Sequence, residues 1–343
     1  MAVPIEFEEQ LIEGLQPIRQ FAAAQVLFTF MDLGVLDALA AQPEDSDALG
    51  KRLGLDPHRL HESLRLLRNE GYVVEQDGWH LTGKGRRVRP LEPWYRLLVG
   101  SYAQTYRQLG DLLRDGSRFG TRDGACAGAG SCGISMYDAL PLDIRLLDRL
   151  PAALTLVDIG AGDGGVLAEL CRRRPELAGV AVEPDKPSMQ LVHDRMKHEG
   201  MSDRVRAFPG TASEVHELDL PTDRAVCFLA AFSLQEMLEQ EGDDAVRDML
   251  RHSVARHPEA HWIVVEVDYR PDDDVLRHGL GLAYYSPYYL MHAITEQRLD
   301  TREFWCGLFA DAGLDVVAQE TTDPGADSTG LLMGFLLRAR SGA

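Results

Sequence analysis

The stretch VDIGAGDGG, Val157 to Gly165, limits most strongly what this chain can fold into. The apolar run LTLVDI enters a turn with glycines at every second position, Gly160, Gly162 and Gly164. GGVLAELCRRRP then takes up helical spacing. A strand that turns this sharply into a helix needs glycine's backbone freedom, and it leaves main chain open to close approach by a ligand. The alternation continues through GVAVEP, PSMQLVHDRMKHEG, VRAFPG, RAVCFLAAF and HWIVVEVDY. This predicts an α/β domain with a parallel sheet covered by helices on both faces. GLDVVAQE and LLMGFLLRAR then predict an antiparallel pair closing the sheet.

The glycine spacing is not the full G-x-G-x-x-G of dinucleotide sites. Asp158 precedes the first glycine and Asp163 lies inside the turn. Two carboxylates repel a pyrophosphate and suit a cation. Glu183 ends the second strand, 25 residues after Asp158, where an acid accepts ribose hydroxyls. Gly210 and Thr211 follow the third strand, where an adenine edge is met.

The region before this domain reads differently. IRQFAAAQVLFTFMDLGVLDALAA is helical with a break at Gly34. Two short amphipathic helices follow, then YVVEQ and WHLTGKG joined by Asp77-Gly78 as a hairpin turn. That is a winged-helix pattern, open to DNA binding through Arg59, Arg65 and Arg68 or to dimerisation. With 35 Lys+Arg against 54 Asp+Glu the net charge is −19, which disfavours nucleic acid and anionic lipid and favours dimerisation. Residues 93–116 predict a linking helix, and 117–135 a Gly-rich loop, mobile or acting as a lid. Five cysteines without C-x-x-C spacing fit reduced thiols. The acidic N-terminus is unlike a signal peptide, and no apolar stretch spans a bilayer, so a cytoplasmic location is expected.

VDIGAGDGG and VAVEP together resemble the class I S-adenosylmethionine-dependent methyltransferases, over about residues 150 to 340. The resemblance implies a Rossmann-like domain at 151–343 that binds this sulfonium cofactor. The part before it resembles the winged-helix dimerisation domain of plant-type small-molecule O-methyltransferases, over 1–92. Linker helices and the Gly-rich loop occupy 93–150. Tyr137 and Asp138 fall where the resembled enzymes approach the methionine part of the cofactor, although Asp138 also fits a helix N-cap. Tyr137, Asp158, Gly160, Gly162, Asp163, Glu183, Gly210, Thr211 and Ala230 form the expected cofactor set.

The fourth strand ends in LAAFSLQEM, and here Gln235 stands where those O-methyltransferases carry a basic His. An amide takes no proton at neutral pH. GAGSCGISMYDALPL and LMHAITEQRLDTREFWCGLF are similar to bacterial methyltransferases that alkylate C3 of 2-oxo acids for peptide natural products. That resemblance implies a divalent ion, iron or zinc, on two His ligands, of which this chain matches one, His292; Gln235 replaces the other and offers a carbonyl oxygen in its place, with Glu236 as ligand, orienting group or base. Such an ion stabilises an enolate. His292, thirteen residues before Trp305, also fits a core His beneath Tyr285 and Tyr288. Ser286 with Pro287 predicts a helix start, and Asp300 with Glu303 a capping box. Arg122 is a candidate for a substrate carboxylate or a surface Arg. The other function classes left open are a metal-free O-methyltransferase and a winged-helix regulator that senses S-adenosylmethionine.

Overall fold

The computed structural model describes residues 5–114, 116 and 118–340. The chain divides into two units, Met1–Ala103 with Asp123–Gly130, and Gln104–Arg122 with Ser131–Ala343.

The first unit is built from α1 (Ile5–Gly14), α2 (Gln16–Asp32), α3 (Val35–Ala41), α4 (Ser46–Leu53) and α5 (Pro57–Asn69). The hairpin β1 (Val73–Glu75) and β2 (Trp79–Leu81) follows, then α6 (Gly83–Val88) and α7 (Glu92–Tyr95). Gly34 takes φ +72° at the predicted break, and Asp77 and Gly78 take φ +51° and +108° in the hairpin turn. Asp45 and Asp56 cap α4 and α5 through their carboxylates. Leu27, Phe30, Leu36, Leu64, Leu67 and Trp79 pack into one core. Two of the three arginines weighed for DNA are paired to carboxylates, Arg65 with Glu62 and Arg68 with Glu75.

The expected single linking helix is broken. A π-helical turn at Arg96–Ser101 separates α7 from α8 (Ala103–Leu112). The expected Gly-rich loop is helical from Gly124 to Ser135 (α9). Packing overrides weak propensity here: a Cβ on Gly130 would come 2.7 Å from the Leu97 nitrogen, so only glycine admits this contact.

The second unit carries a seven-stranded sheet of β3 (Leu154–Ile159), β4 (Ala178–Val182), β5 (Val205–Phe208), β6 (Ala225–Ala231), β7 (His261–Val267), β8 (Leu314–Thr321) and β9 (Leu332–Ala339). Its order is β5-β4-β3-β6-β7-β9-β8. The first five are parallel, and β9 runs antiparallel to β7 and β8, as the terminal pair predicted. The helices are α10 (Ala139–Leu147), α11 (Gly165–Arg173), α12 (Lys186–His198), α13 (Leu234–Gln240), α14 (Asp243–Arg256), α15 (Ser286–Ile294) and α16 (Arg302–Asp311). Phe228, Trp262, Trp305, Phe309 and Phe335 fill the core on one face of the sheet. Strand order reverses between β3 and β6, so the crevice beyond their carboxyl ends is the ligand site of such a fold. No single helix among the described residues is long and apolar enough to cross a membrane.

Candidate active site

Two turns meet at this crevice. Gly160, Gly162 and Gly164 all adopt positive φ, +76°, +56° and +73°. The Gly160 and Ala161 amides donate to the Val182 carbonyl at 2.9 and 3.1 Å, which folds the turn back over β4. The Gly162 amide donates to Glu183 Oε2 at 2.9 Å, and the Asp185 amide to Glu183 Oε1 at 3.0 Å. Glu183 is thereby held at the mouth of the crevice. Cys132 Sγ, near the end of α9, would lie 2.5 Å from a Cβ on Gly162, so this helix end covers the turn.

Asp158 is 5% exposed, and burial, with Glu183 and Asp163 nearby, pushes its carboxyl up to about 7. Asp163 serves the turn: it pairs with Arg195 of α12 and accepts the Gly165 amide at 2.9 Å. Thr211 is likewise engaged locally, its amide donating to Glu214 at 2.7 Å. Gly210 lies against the Phe208 ring. Ala230 is fully buried in the core of β6, and Tyr137 is 55% exposed. Asp138 is the N-cap of α10 and accepts the Ala139 amide.

The residues suit a cationic nucleoside. Asp143, Asp158 and Glu183 are buried, and no ion pair joins any of them among the described residues. Asp143 has no exposed surface, and neither carboxyl oxygen has a hydrogen-bond partner among the described residues. The sequence reading missed it. Its signal was a carboxylate among the apolar positions of ALPLDIRLL.

The second turn leads from β6 into α13. Phe232 takes φ +57°, a conformation that costs a non-glycine residue about 1–2 kcal/mol. Its amide is fixed to the Val265 carbonyl at 2.9 Å. Ser233 does not cap α13 through its side chain. Glu266 of β7 lies close enough to the Leu234 and Gln235 amides for them to hold its pKa down against burial. It is 1% exposed, and burial drives its carboxyl well above the usual range. This residue too was missed, hidden in the apolar run HWIVVEV.

Gln235 therefore projects from a fixed helix start. Its side-chain nitrogen is 3.4 Å from His292 Nε2. His292 Nδ1 is 2.8 Å from the Tyr288 carbonyl oxygen and donates to it, so Nε2 is an acceptor and faces the Gln235 amide N–H. Burial holds His292 down to about 3, so the ring is neutral. Gln235 Oε1 is buried without a hydrogen-bond partner among the described residues. Glu236 turns the other way, to Arg122 at 2.5 Å and to Gln297 Nε2 at 3.0 Å. Arg122 lies near enough to His292 to add to its downward shift, and Glu236 near enough to Glu183 to raise it. The segment carrying Arg122 is pinned by Gly120 N–H to the Ile294 carbonyl at 2.7 Å and by Thr105 Oγ1 to the Thr121 carbonyl at 2.7 Å. Beside it opens a cavity of about 630 Å³ lined by Thr121, Arg122, Gln240, Ile294 and Glu296, within the usual size of small-molecule pockets.

Of the three residues expected to hold a metal ion, Gln235 and His292 meet, while Glu236 faces Arg122 and Gln297. No group of three His, Cys, Asp or Glu among the described residues is arranged to hold an ion. One imidazole and one amide fall short of the three protein donors of a catalytic divalent site. Two local expectations are also corrected. Ser286 is not an N-cap: α15 continues from a π-helical turn at Gly281–Tyr285, the accommodation a helix makes near Pro287. Thr301, not Asp300, caps α16, while Asp300 pairs with Arg298.

No family model matches the chain. The 2-ketoarginine methyltransferase of Streptomyces arginensis is 46% identical over 341 residues, 98% of each chain. The indolepyruvate C-methyltransferase of Streptomyces griseus is 28% identical over 245 residues, 68% of this chain and 69% of that protein. The solved structure of the mitomycin 7-O-methyltransferase MmcR superposes with a TM-score of 0.69 at 19% identity, covering 97% of this chain and 98% of that one. Fold and crevice together define a class I S-adenosylmethionine-dependent methyltransferase. Within that class, the chain belongs to the family of the 2-ketoarginine methyltransferase.

Proposed function

We propose that this enzyme transfers the methyl group of S-adenosylmethionine to C3 of a 2-oxo acid, giving a β-methyl 2-oxo acid. The observation that carries this reading is the Arg122–Glu236 pair set beside Gln235 and His292. A 2-oxo acid presents a carboxylate, a keto oxygen and acidic C3 protons, and these residues answer each. The substrate carboxylate takes the Arg122 guanidinium and displaces Glu236. Glu236, released, accepts a proton from C3, and the C–H electron pair moves into an enolate. The Gln235 amide N–H donates to the enolate oxygen, oriented by its hydrogen bond to His292 Nε2. C3 then attacks the sulfonium methyl in line, forming C–C and breaking C–S, with the S–C electron pair left on sulfur. Bound S-adenosylmethionine supplies the electrophilic methyl. Glu183 would hold its ribose, and Asp158 with the glycine turn its cationic part. No step is routed through a metal ion.

The names of the two relatives support this substrate class, since 2-ketoarginine and indolepyruvate are both 2-oxo acids. They make 2-ketoarginine the first acid to try. The test is transfer of labelled methyl to a panel of 2-oxo acids, phenols and alcohols. The expected result is turnover confined to 2-oxo acids that carry a C3 proton, and turnover of phenols alone would refute it.

We further infer that residues 1–92 serve dimerisation. Phe7, Leu11, Ile12, Leu15, Ile18 and Phe21 are exposed along α1 and α2, Ile18 and Phe21 by 64% and 63%. An apolar row of this kind is suited to a second copy. Light scattering should give twice the chain mass, and Ile18→Glu with Phe21→Glu should give the single chain mass. A monomeric wild type would remove this inference.

A further inference from the structure

Three contacts tie α15 and the segment after it to the first turn of α13. Gln235 Nε2 faces His292 Nε2 at 3.4 Å, the Arg298 amide donates to the Gln235 carbonyl at 3.0 Å, and Gln297 Nε2 donates to Glu236 Oε1 at 3.0 Å. The Gln297 main chain is itself folded by its amide on the Thr295 carbonyl at 2.7 Å, and the residue is only 6% exposed. A carboxylate only accepts, so the end of the Gln297 side chain that meets Glu236 is its NH₂ group. Glu236 Oε1 thus receives two donors, Gln297 after α15 and Arg122 from the segment before α9. The proposed reaction treats these donors differently. The Arg122 guanidinium has to leave Glu236 for the substrate carboxylate. Gln297 is buried and neutral, makes no such exchange, and stays. The Glu236 side chain is 38% exposed, so once Arg122 has turned away the Gln297 hydrogen bond is what fixes it.

We propose that Gln297 is a positioning residue for the base: it holds Glu236 Oε1 after Arg122 has turned to the substrate, which leaves Oε2 to take the C3 proton. In that step one C3–H bond breaks, the proton passes to Glu236 Oε2, and the electron pair moves into the enolate. Gln297 exchanges no proton, since an amide takes none at neutral pH. It contributes alignment: a half-exposed carboxylate held by a buried donor enters the reaction already ordered, whereas an unheld one has to lose its rotamer freedom at each turnover. The inference rests on Glu236 being the base of the proposed reaction.

The experiment reads proton removal apart from methyl transfer. The full chain is given S-adenosylhomocysteine, which has no methyl to transfer, in heavy water with saturating 2-ketoarginine, or whichever acid of the panel turns over fastest. Loss of the C3 proton signal is followed by NMR. Rates are expressed per cofactor site, counted by calorimetric titration with S-adenosylhomocysteine, so that unfolded chains drop out. Gln297→Met keeps the length of the side chain and removes the donor. Its exchange rate per site should fall about tenfold, part of the 10²–10⁴ that a positioned base contributes, and KM for the acid in methyl transfer should stay within about twofold. If the Met variant does not fold, Gln297→Leu should show the same loss. A wild-type rate per site in the variant overturns the proposal, and so does a loss confined to the count of sites, which is what a merely structural Gln297 would give. Glu236→Gln separates the two possible failures, since its exchange should fall to the rate of the acid in solution. Exchange retained in Glu236→Gln overturns Glu236 as the base, and this inference with it. Exchange lost in Glu236→Gln but unchanged in Gln297→Met overturns the role of Gln297 alone and leaves the proposed reaction standing.

Discussion

Gln235→Ala is expected to lower kcat by about 10²–10³ while leaving cofactor affinity within about twofold, the usual cost of deleting a donor aimed at a developing oxyanion. The amide sits on a helix start whose preceding turn is anchored by the Phe232 amide on the Val265 carbonyl, and its side chain faces a neutral imidazole. Its donor is therefore in place before charge develops, at no cost of reorganisation. His292→Ala should cost less, about 10–10², because in the proposed reaction His292 only aims the amide. The double variant should cost little more than Gln235→Ala alone, since coupled residues are not additive. Because burial keeps His292 neutral down to about 3, its titration should not appear in the pH–rate profile between pH 5 and 9. An acid limb near 6.5 that vanishes in His292→Ala would show that His292 exchanges the proton itself.

Arg122→Met should raise KM for the 2-oxo acid by about 10–100-fold, the worth of a charge-assisted hydrogen bond to a carboxylate, with cofactor affinity unchanged. Arg122→Lys should recover part of this, since a point charge replaces a planar fork. Arg122→Met also removes the ionic partner of Glu236, which keeps only its hydrogen bond from Gln297. The separation of effects is the informative part. A merely structural Arg122 would lower stability and kcat together without a selective rise in KM.

The strand–turn–helix that shapes the crevice could be read from local pattern. Val157–Gly165 and Glu183 lie where strand, turn and helix periodicities change, and those changes are sequence-local. What escaped is tertiary. Arg122 meets Glu236 across 114 positions, a pairing that no spacing encodes. Asp143 and Glu266 lie inside apolar runs, where a carboxylate looks like an interruption until burial is known. Helix α9 was expected as a loop because glycine and alanine are weak or ambiguous signals. Their small size is what permits the contact of Gly130 with Leu97. The Gln-Glu pair lies just past the strand end, in the first turn of α13, and its two side chains diverge, Gln235 to His292 and Glu236 to Arg122, which no spacing in the sequence reveals.

The central claim is carbon methylation, and the position of the new methyl tests it most directly. The enzyme is incubated with S-adenosylmethionine carrying a ¹³C methyl and a 2-oxo acid that has two C3 protons, and the product is followed by NMR. The account predicts a labelled methyl coupled to a single C3 proton, in a β-methyl 2-oxo acid. A labelled methyl on oxygen, as an enol ether or ester uncoupled to C3–H, would contradict it.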